Sequence, residues 1–160
     1  MITNQDYLFS IRKCYLFDNV DDEQLPEAIK LLNGRIKKVE KEDFIVQLGG
    51  VLQNAGLLLK GKIQSSFQNE NFDQITMHTF GGGYLFGEAL VINGTKNSPV
   101  QVRAVEDCII LFIDLAEIYR SDNHSPVRAI LAENLIRSLA RKNLILNCKS
   151  RSHSTTCTEF

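Results

Sequence analysis

A chain of 160 residues, 44% hydrophobic and 23% charged, has the size and make-up of one globular domain, able to bury roughly 70% of its unfolded surface. A formal charge of −1 gives no bulk attraction to nucleic acid or anionic membrane, and the composition argues against wholesale disorder. No apolar run approaches the roughly 20 residues of a spanning helix, and Met1 to Asp6 lacks the basic-then-apolar order of a signal peptide, so a cytoplasmic location is expected.

Tyr7, Leu8, Ile11, Tyr15 and Leu16 recur at helical intervals and predict a short amphipathic helix over 6–17. Asp21, Asp22, Glu23 and Gln24 offer carboxylate caps for a second helix carrying Leu25, Ala28, Ile29, Leu31 and Leu32. Pro26 is tolerated near its start, and Asn33-Gly34 terminates it. From Arg35 the texture changes to short β-branched and aromatic runs punctuated by Gly, Asn and Asp. Strands are predicted over 35–39, 44–47, 56–60, 62–67, 72–80, 99–105 and 108–113, with Asn69-Glu70-Asn71 as a hairpin connection. Alternation around Ile63–Gln68 and Ile75–Thr79 gives those strands one wet face. Many short strands at regular spacing predict a sandwich or jelly-roll barrel.

A short helix is predicted over 114–120, and Ser125-Pro126 then supplies an N-cap and a first-turn proline for a long helix over 127–147. Leu131, Leu135, Leu139 and Leu146 line one side of it, while Ile130, Ile136, Leu144 and Ile145 spread beyond. A helix so broadly apolar is expected to bury two faces, one on its own domain and one on a partner helix. Residues 149–160 are polar and Ser/Thr-rich without helical periodicity and read as a loosely ordered tail.

The four cysteines, Cys14, Cys108, Cys148 and Cys157, are scattered without C-x-x-C spacing, and free thiols are expected. Cys108 sits in an apolar strand and reads as a buried, inert thiol. His78, His124 and His153 lack the spacing of a jelly-roll metal site, and no Ser-His-Asp or Cys-His set stands out. No catalytic residue, metal ligand or cofactor is therefore assigned. The Gly81-Gly82-Gly83 run lacks a following Gly-Lys-Ser/Thr and reads as a strand connection rather than a phosphate loop.

The most informative segment is Phe86-Gly87-Glu88-Ala89. Gly87 lets a backbone approach a ligand, the N–H groups after it can face an anion, and Glu88 can accept from a ligand hydroxyl. The plainer role for Glu88 is a pair with a cation such as Arg103. Gly61 suits a tight bend between two strands. Taken in order, Tyr15-Leu16-Phe17, Leu58-Leu59-Lys60-Gly61-Lys62-Ile63, Phe86-Gly87-Glu88 and Val102-Arg103-Ala104 resemble the effector domain of the Crp/Fnr family of bacterial transcription regulators, from about Tyr7 to Asn147.

That resemblance implies a mainly β fold with flanking helices, a double-stranded β-helix (jelly roll) followed by a long dimerisation helix. It implies a β-barrel sensor domain over 1–120, a dimer helix over 121–148 and a polar tail over 149–160 where relatives carry a winged helix-turn-helix. Ligand contacts are expected at Phe86, Gly87, Glu88 and Ala89, and at Ser98, Pro99 and Val100. In nucleotide-binding members an arginine and a small hydroxyl residue stand at the positions of Ser98 and Pro99, so the bidentate phosphate contact is missing. The N–H groups around Ser98 could still hold a weak anion, and Lys96 could lend a charge. The long helix lacks the hydroxyl that contacts a purine, and Leu144, Ile145 and Leu146 make that wall apolar. A small organic effector other than cyclic AMP fits better, relayed through a homodimer packed on Leu131, Leu135, Leu139 and Leu146. The chain alone is not expected to bind DNA. The alternatives are a cupin-like metalloenzyme or a scaffold without a ligand.

Overall fold

A computed structural model describes residues 5–68, 74–120 and 125–151, with side chains except at 68, 74–77 and 146–151. Helix α1 (Gln5–Lys13) stops at Cys14, whose extended backbone (φ −83°, ψ 121°) breaks the predicted helix into two, and a 3-10 turn follows at Tyr15–Phe17. Helix α2 (Leu25–Leu31) has proline in its first turn, but no acidic side chain caps it. Asp22 instead pairs with Arg12 of α1, so the expected cap serves as a tie between helices. The chain leaves α2 through Asn33 at φ +49°, with the Gly34 N–H donating to the Ile29 carbonyl at 2.9 Å.

Eight strands follow: β1 (Arg35–Val39), β2 (Phe44–Val46), β3 (Ala55–Lys60), β4 (Ile63–Gln68), β5 (Gln74–Phe80), β6 (Leu85–Phe86), β7 (Val100–Ala104) and β8 (Cys108–Ile113). Two four-stranded antiparallel sheets, in the orders β1-β8-β3-β6 and β2-β7-β4-β5, pack face to face as a jelly roll. Gly61, at φ +97°, makes the tight bend between β3 and β4 that a side chain would resist. β4 and β5 pair from Ile63↔Phe80 to Gln68↔Gln74, as expected of a hairpin, while Asn69-Glu70-Asn71 lies outside the described residues. β6 was not among the predicted strands: two residues are too few to show a period.

Two apolar clusters divide at the first sheet. Leu58, Ile110 and Cys108 point into the roll with Val39, Val46, Ile63 and Phe86. Their neighbours Leu57, Leu59, Leu111 and Ile113 point the other way, into a layer with Ile11, Leu16, Phe17, Leu25 and Leu32. β3 is consequently buried along nearly its whole length, because helices cover the face a simple sandwich would leave wet. Cys14 and Cys108 are both buried free thiols. Burial pushes Cys14 up to about 12 and raises Cys108, so both stay protonated near neutrality.

After α3 (Glu88–Ile92) and α4 (Glu117–Arg120), helix α5 (Pro126–Arg151) extends four residues beyond the predicted end at Asn147. It begins on the predicted proline, and the Ser125 hydroxyl donates to Glu27 of α2 at 2.8 Å. Leu131 and Leu135 are completely buried in the domain's own helical layer, and Leu139 packs against it. They are not the partner-facing seam expected of them: these three, with Val127, fill the space above the 3-10 turn and α2. The side chain of Leu146 lies outside those described. Among the described residues of α5 the exposed large apolar side chains are Ile136 (69%), Leu144 (66%) and Ile145 (47%), and of these Ile136 and Leu144, eight residues apart, lie towards one side of the helix. Asn134 pins α5 down, its amide donating to the carbonyls of Leu16 (3.0 Å) and Asp18 (2.7 Å).

Candidate functional site

The Gly-Glu segment forms where β6 ends. Gly87 adopts φ +78°, a left-handed turn that starts the single-turn helix α3, and the Leu52 side chain occupies the space a Cβ there would need. Phe86 points into the roll and lies against Gly56 of β3, so close that any larger residue at 56 would collide with the ring. Ala89 is exposed on α3. Leu52, Leu90, Val100, Phe80 and Tyr84 pack around the roll's inner cluster.

Glu88 is buried, and its partner is Lys142 of α5 rather than Arg103. The Lys142 ammonium also donates to the Leu85 carbonyl at 2.6 Å and lies 4.6 Å from the centroid of the Tyr84 ring. Arg103 pairs with Glu42 at 2.9 Å, on the outer side of β7. Burial, with Glu88 nearby, pushes the Tyr84 phenol up to about 12. Sequence reasoning missed Lys142 because it lies 54 residues from Glu88. A lysine on a helix with Arg141 and Lys149 nearby gives no sign of which cation turns inward.

Ser98 is buried, and its polar groups are already used. Its N–H donates to the Gly50 carbonyl at 2.9 Å, its carbonyl accepts from Gly49 at 2.8 Å, and its hydroxyl donates to the Val100 carbonyl at 2.6 Å. The Val100 N–H donates back to the Ser98 hydroxyl at 3.2 Å, and Pro99 has no N–H. The N–H groups of Ser98 and Val100, where a weak anion is expected, are thus bonded within the protein. Lys96 is exposed on the preceding turn.

A cavity of about 430 Å³ opens beside this segment, between α1, the β4–β5 hairpin and α5. From the segment it takes only the neighbours Gly83, Tyr84 and Leu85, together with Lys142. Its helical wall is Ser138, Arg141, Lys142 and Ile145, so the wall is mixed rather than purely apolar, and it does carry a hydroxyl. Leu144 points to solvent instead. His78 also lines the cavity, edge-on to Phe80 with ring centroids 5.9 Å apart, whereas His124 and His153 lie outside the described residues. Among the described residues, no three His, Cys, Asp or Glu side chains stand together as a metal site. No described helix is long and apolar enough to cross a membrane.

The two packed sheets, the one-turn helix at the end of β6 and the long closing helix define a small jelly roll with a helical lid layer. The cyclic nucleotide-binding domain family matches over residues 36–121, more than half of the chain, and the chain belongs to that family. Among curated proteins no match was found. Among solved structures, the catabolite activator protein of Thermus thermophilus superposes with a TM-score of 0.69 at 24% identity, covering 85% of this chain and 63% of that one. The sensor domain of the transcriptional regulator DNR from Pseudomonas aeruginosa gives 0.64 at 15% identity, covering 94% of this chain and 95% of that one. The N-terminal domain of a transcriptional regulator from Streptomyces coelicolor A3(2) gives 0.64 at 18%, covering 93% and 99%. At these identities the likeness establishes the fold. The chain spans less than two thirds of the Thermus protein.

Proposed function

We propose that this chain is the effector-sensing domain of a Crp/Fnr-type transcription regulator that responds to a small molecule other than a cyclic nucleotide. The observation that carries the reading is the buried Glu88–Lys142 pair, which ties the ligand-facing segment of the family directly to the long helix. Phe86, Gly87, Glu88 and Ala89 form the responsive side of the site, and Ser98, Pro99 and Val100 frame it. A ligand that alters the bond between Glu88 and Lys142 shifts the balance between two placements of α5, and the helix transmits that shift to whatever it joins. The self-bonded Ser98 loop supports the reading that a phosphate finds no grip there.

The exposed residues Ile136, Ala140 and Leu144 follow one another at i, i+4 and i+8 on α5 and supply the homodimer face. The chain acts without catalysis and in the cytoplasm on this reading, and DNA recognition belongs to a partner or a further domain. The ligand-free scaffold alternative draws on the same closed hydrogen bonding at Ser98.

Calorimetric titration with cyclic AMP and cyclic GMP is expected to give no binding heat up to about millimolar, and micromolar binding of either would overturn the reading. A thermal-shift screen against metabolites separates sensor from scaffold. A true effector at 100 times its Kd adds about 2.7 kcal/mol, or roughly 5–10 °C for a domain this size. A scaffold gives no such hit.

A further inference from the structure

The cavity beside the Gly-Glu segment has a chemistry of its own. Its floor is aromatic: Phe80 and Tyr84 stack with centroids 3.6 Å apart and planes within 5°. Its rim is cationic, with Lys13 on the α1 side and Arg141 and Lys142 on the α5 side. No carboxylate is among the described residues that line it. Lys142 is engaged by Glu88, but Lys13 and Arg141 make no ion pair among the described residues. Each is held over a ring instead, Lys13 at 4.2 Å from the Phe9 centroid and Arg141 at 4.5 Å from that of Tyr15. Those rings position the two charges without neutralising them. Cys14 and Tyr84, both pushed up to about 12, add no negative charge near neutrality. Ser65 and Ser138 supply two hydroxyls.

We infer that this cavity binds a planar, apolar anion, with its ring system against the Phe80–Tyr84 floor and its acidic group between Lys13 and Arg141. A volume of about 430 Å³ lies in the range that encloses small organic ligands. Flat apolar surface and unneutralised positive charge are complementary to such a molecule, and to neither a cation nor a sugar. The inference deepens the sensor reading and rests on it only for the consequence: an acid at this rim competes with Glu88 for Lys142 and so loosens the tie to α5. The binding site itself stands on the cavity alone.

The test uses the full chain and 8-anilinonaphthalene-1-sulfonate as the probe, followed by fluorescence and calorimetry, with uncharged N-phenyl-1-naphthylamine as control. Saturable one-to-one binding of the sulfonate is expected, at least fivefold tighter than the uncharged amine. The exposed pair Lys13→Glu/Arg141→Glu, checked for an unchanged melting profile, should weaken the sulfonate more than tenfold and the amine less than twofold. If the pair fails to fold, Arg141→Gln alone should weaken the sulfonate about threefold. 2-Naphthoate should displace the probe where 2-naphthamide does not. No binding up to millimolar, equal affinity for the amine, or indifference to the charge changes overturns the inference. A metabolite that stabilises the chain, with no charge-dependent probe binding, removes this site and leaves the sensor reading standing. Probe and naphthoate binding as described, with unchanged hydrogen exchange along α5, leaves the site and removes the sensor reading.

Discussion

Replacing Lys142 by methionine removes the cation from Glu88 while keeping an unbranched stem beside Tyr84. The pair is dry at one end and wet at the other, the Glu88 side chain being 4% exposed and that of Lys142 34%. Stripping one partner from a fully buried pair costs about 3–5 kcal/mol, and relaxation towards water at the wet end reduces that to about 2–4 kcal/mol here. Glu88→Gln is milder. Lys142 keeps the Leu85 carbonyl at 2.6 Å and the Tyr84 ring, and its ammonium can reach solvent, so about 1 kcal/mol is expected. The double variant carries no buried unpaired charge and should lose only about 1–2 kcal/mol, less than Lys142→Met alone. Urea denaturation of all four proteins completes the cycle, and the Lys142→Met melting point should fall by roughly 5–15 °C. Hydrogen exchange over the last turns of α5 should quicken in Lys142→Met. A loss within 0.5 kcal/mol of wild type for that variant, or strict additivity in the cycle, refutes the claim that this bond holds the helix.

The two faces of α5 can be told apart by truncation: Leu131→Ala should cost about 2–5 kcal/mol in denaturation, whereas Leu144→Ala should stay within about 0.5 kcal/mol for the monomer. Ile136→Glu/Leu144→Glu should abolish the dimer in light scattering, and an unchanged dimer mass would place the interface elsewhere. Gly56→Ala forces the Phe86 ring to move and should cost about 1–3 kcal/mol, read by urea denaturation; a neutral effect would mean that the ring has room to spare. Cys14 gives a pH dependence. The folded thiol keeps its proton up to about 12 while the unfolded one loses it near 9, so stability is intact below pH 9 and falls as pH rises from there towards 12. In Cys14→Ala the loss between pH 9 and 11 should shrink by up to about 3 kcal/mol.

The architecture was legible because its signals are local. Seven strands announced themselves through β-branched runs and turn residues, and Ser125-Pro126 marked the start of α5. The features that failed to show depend on which residues face each other. Leu131, Leu135 and Leu139 form as good a stripe for a partner as for the chain's own core, and only the position of the 3-10 turn decides. Leu85 and Phe86 form a strand because Leu57 and Gly56 are there to pair with, a fact no short window contains. At the site, the Gly-Glu signature marked the turn that opens α3, and the missing arginine was visible. The bonding that closes the Ser98 loop depends on Gly49 and Gly50, and the cation at Glu88 comes from the far end of the chain. Charge pairing across such separations has no sequence period.

The two carbonyls held by Asn134 give α5 a fulcrum. The turns before it are clamped in the helical layer, Leu135 and Leu139 keep contact with that layer, and the 17 residues after Asn134 extend for about 25 Å to Arg151, with Lys142 and Glu88 forming a stay roughly halfway along. A lever of that length turns a tilt of about 5° at the fulcrum into a displacement of about 2 Å at its tip. Slackening that buried bond, halfway along, by about one ångström is thus enough to move the end of the helix by about twice that distance.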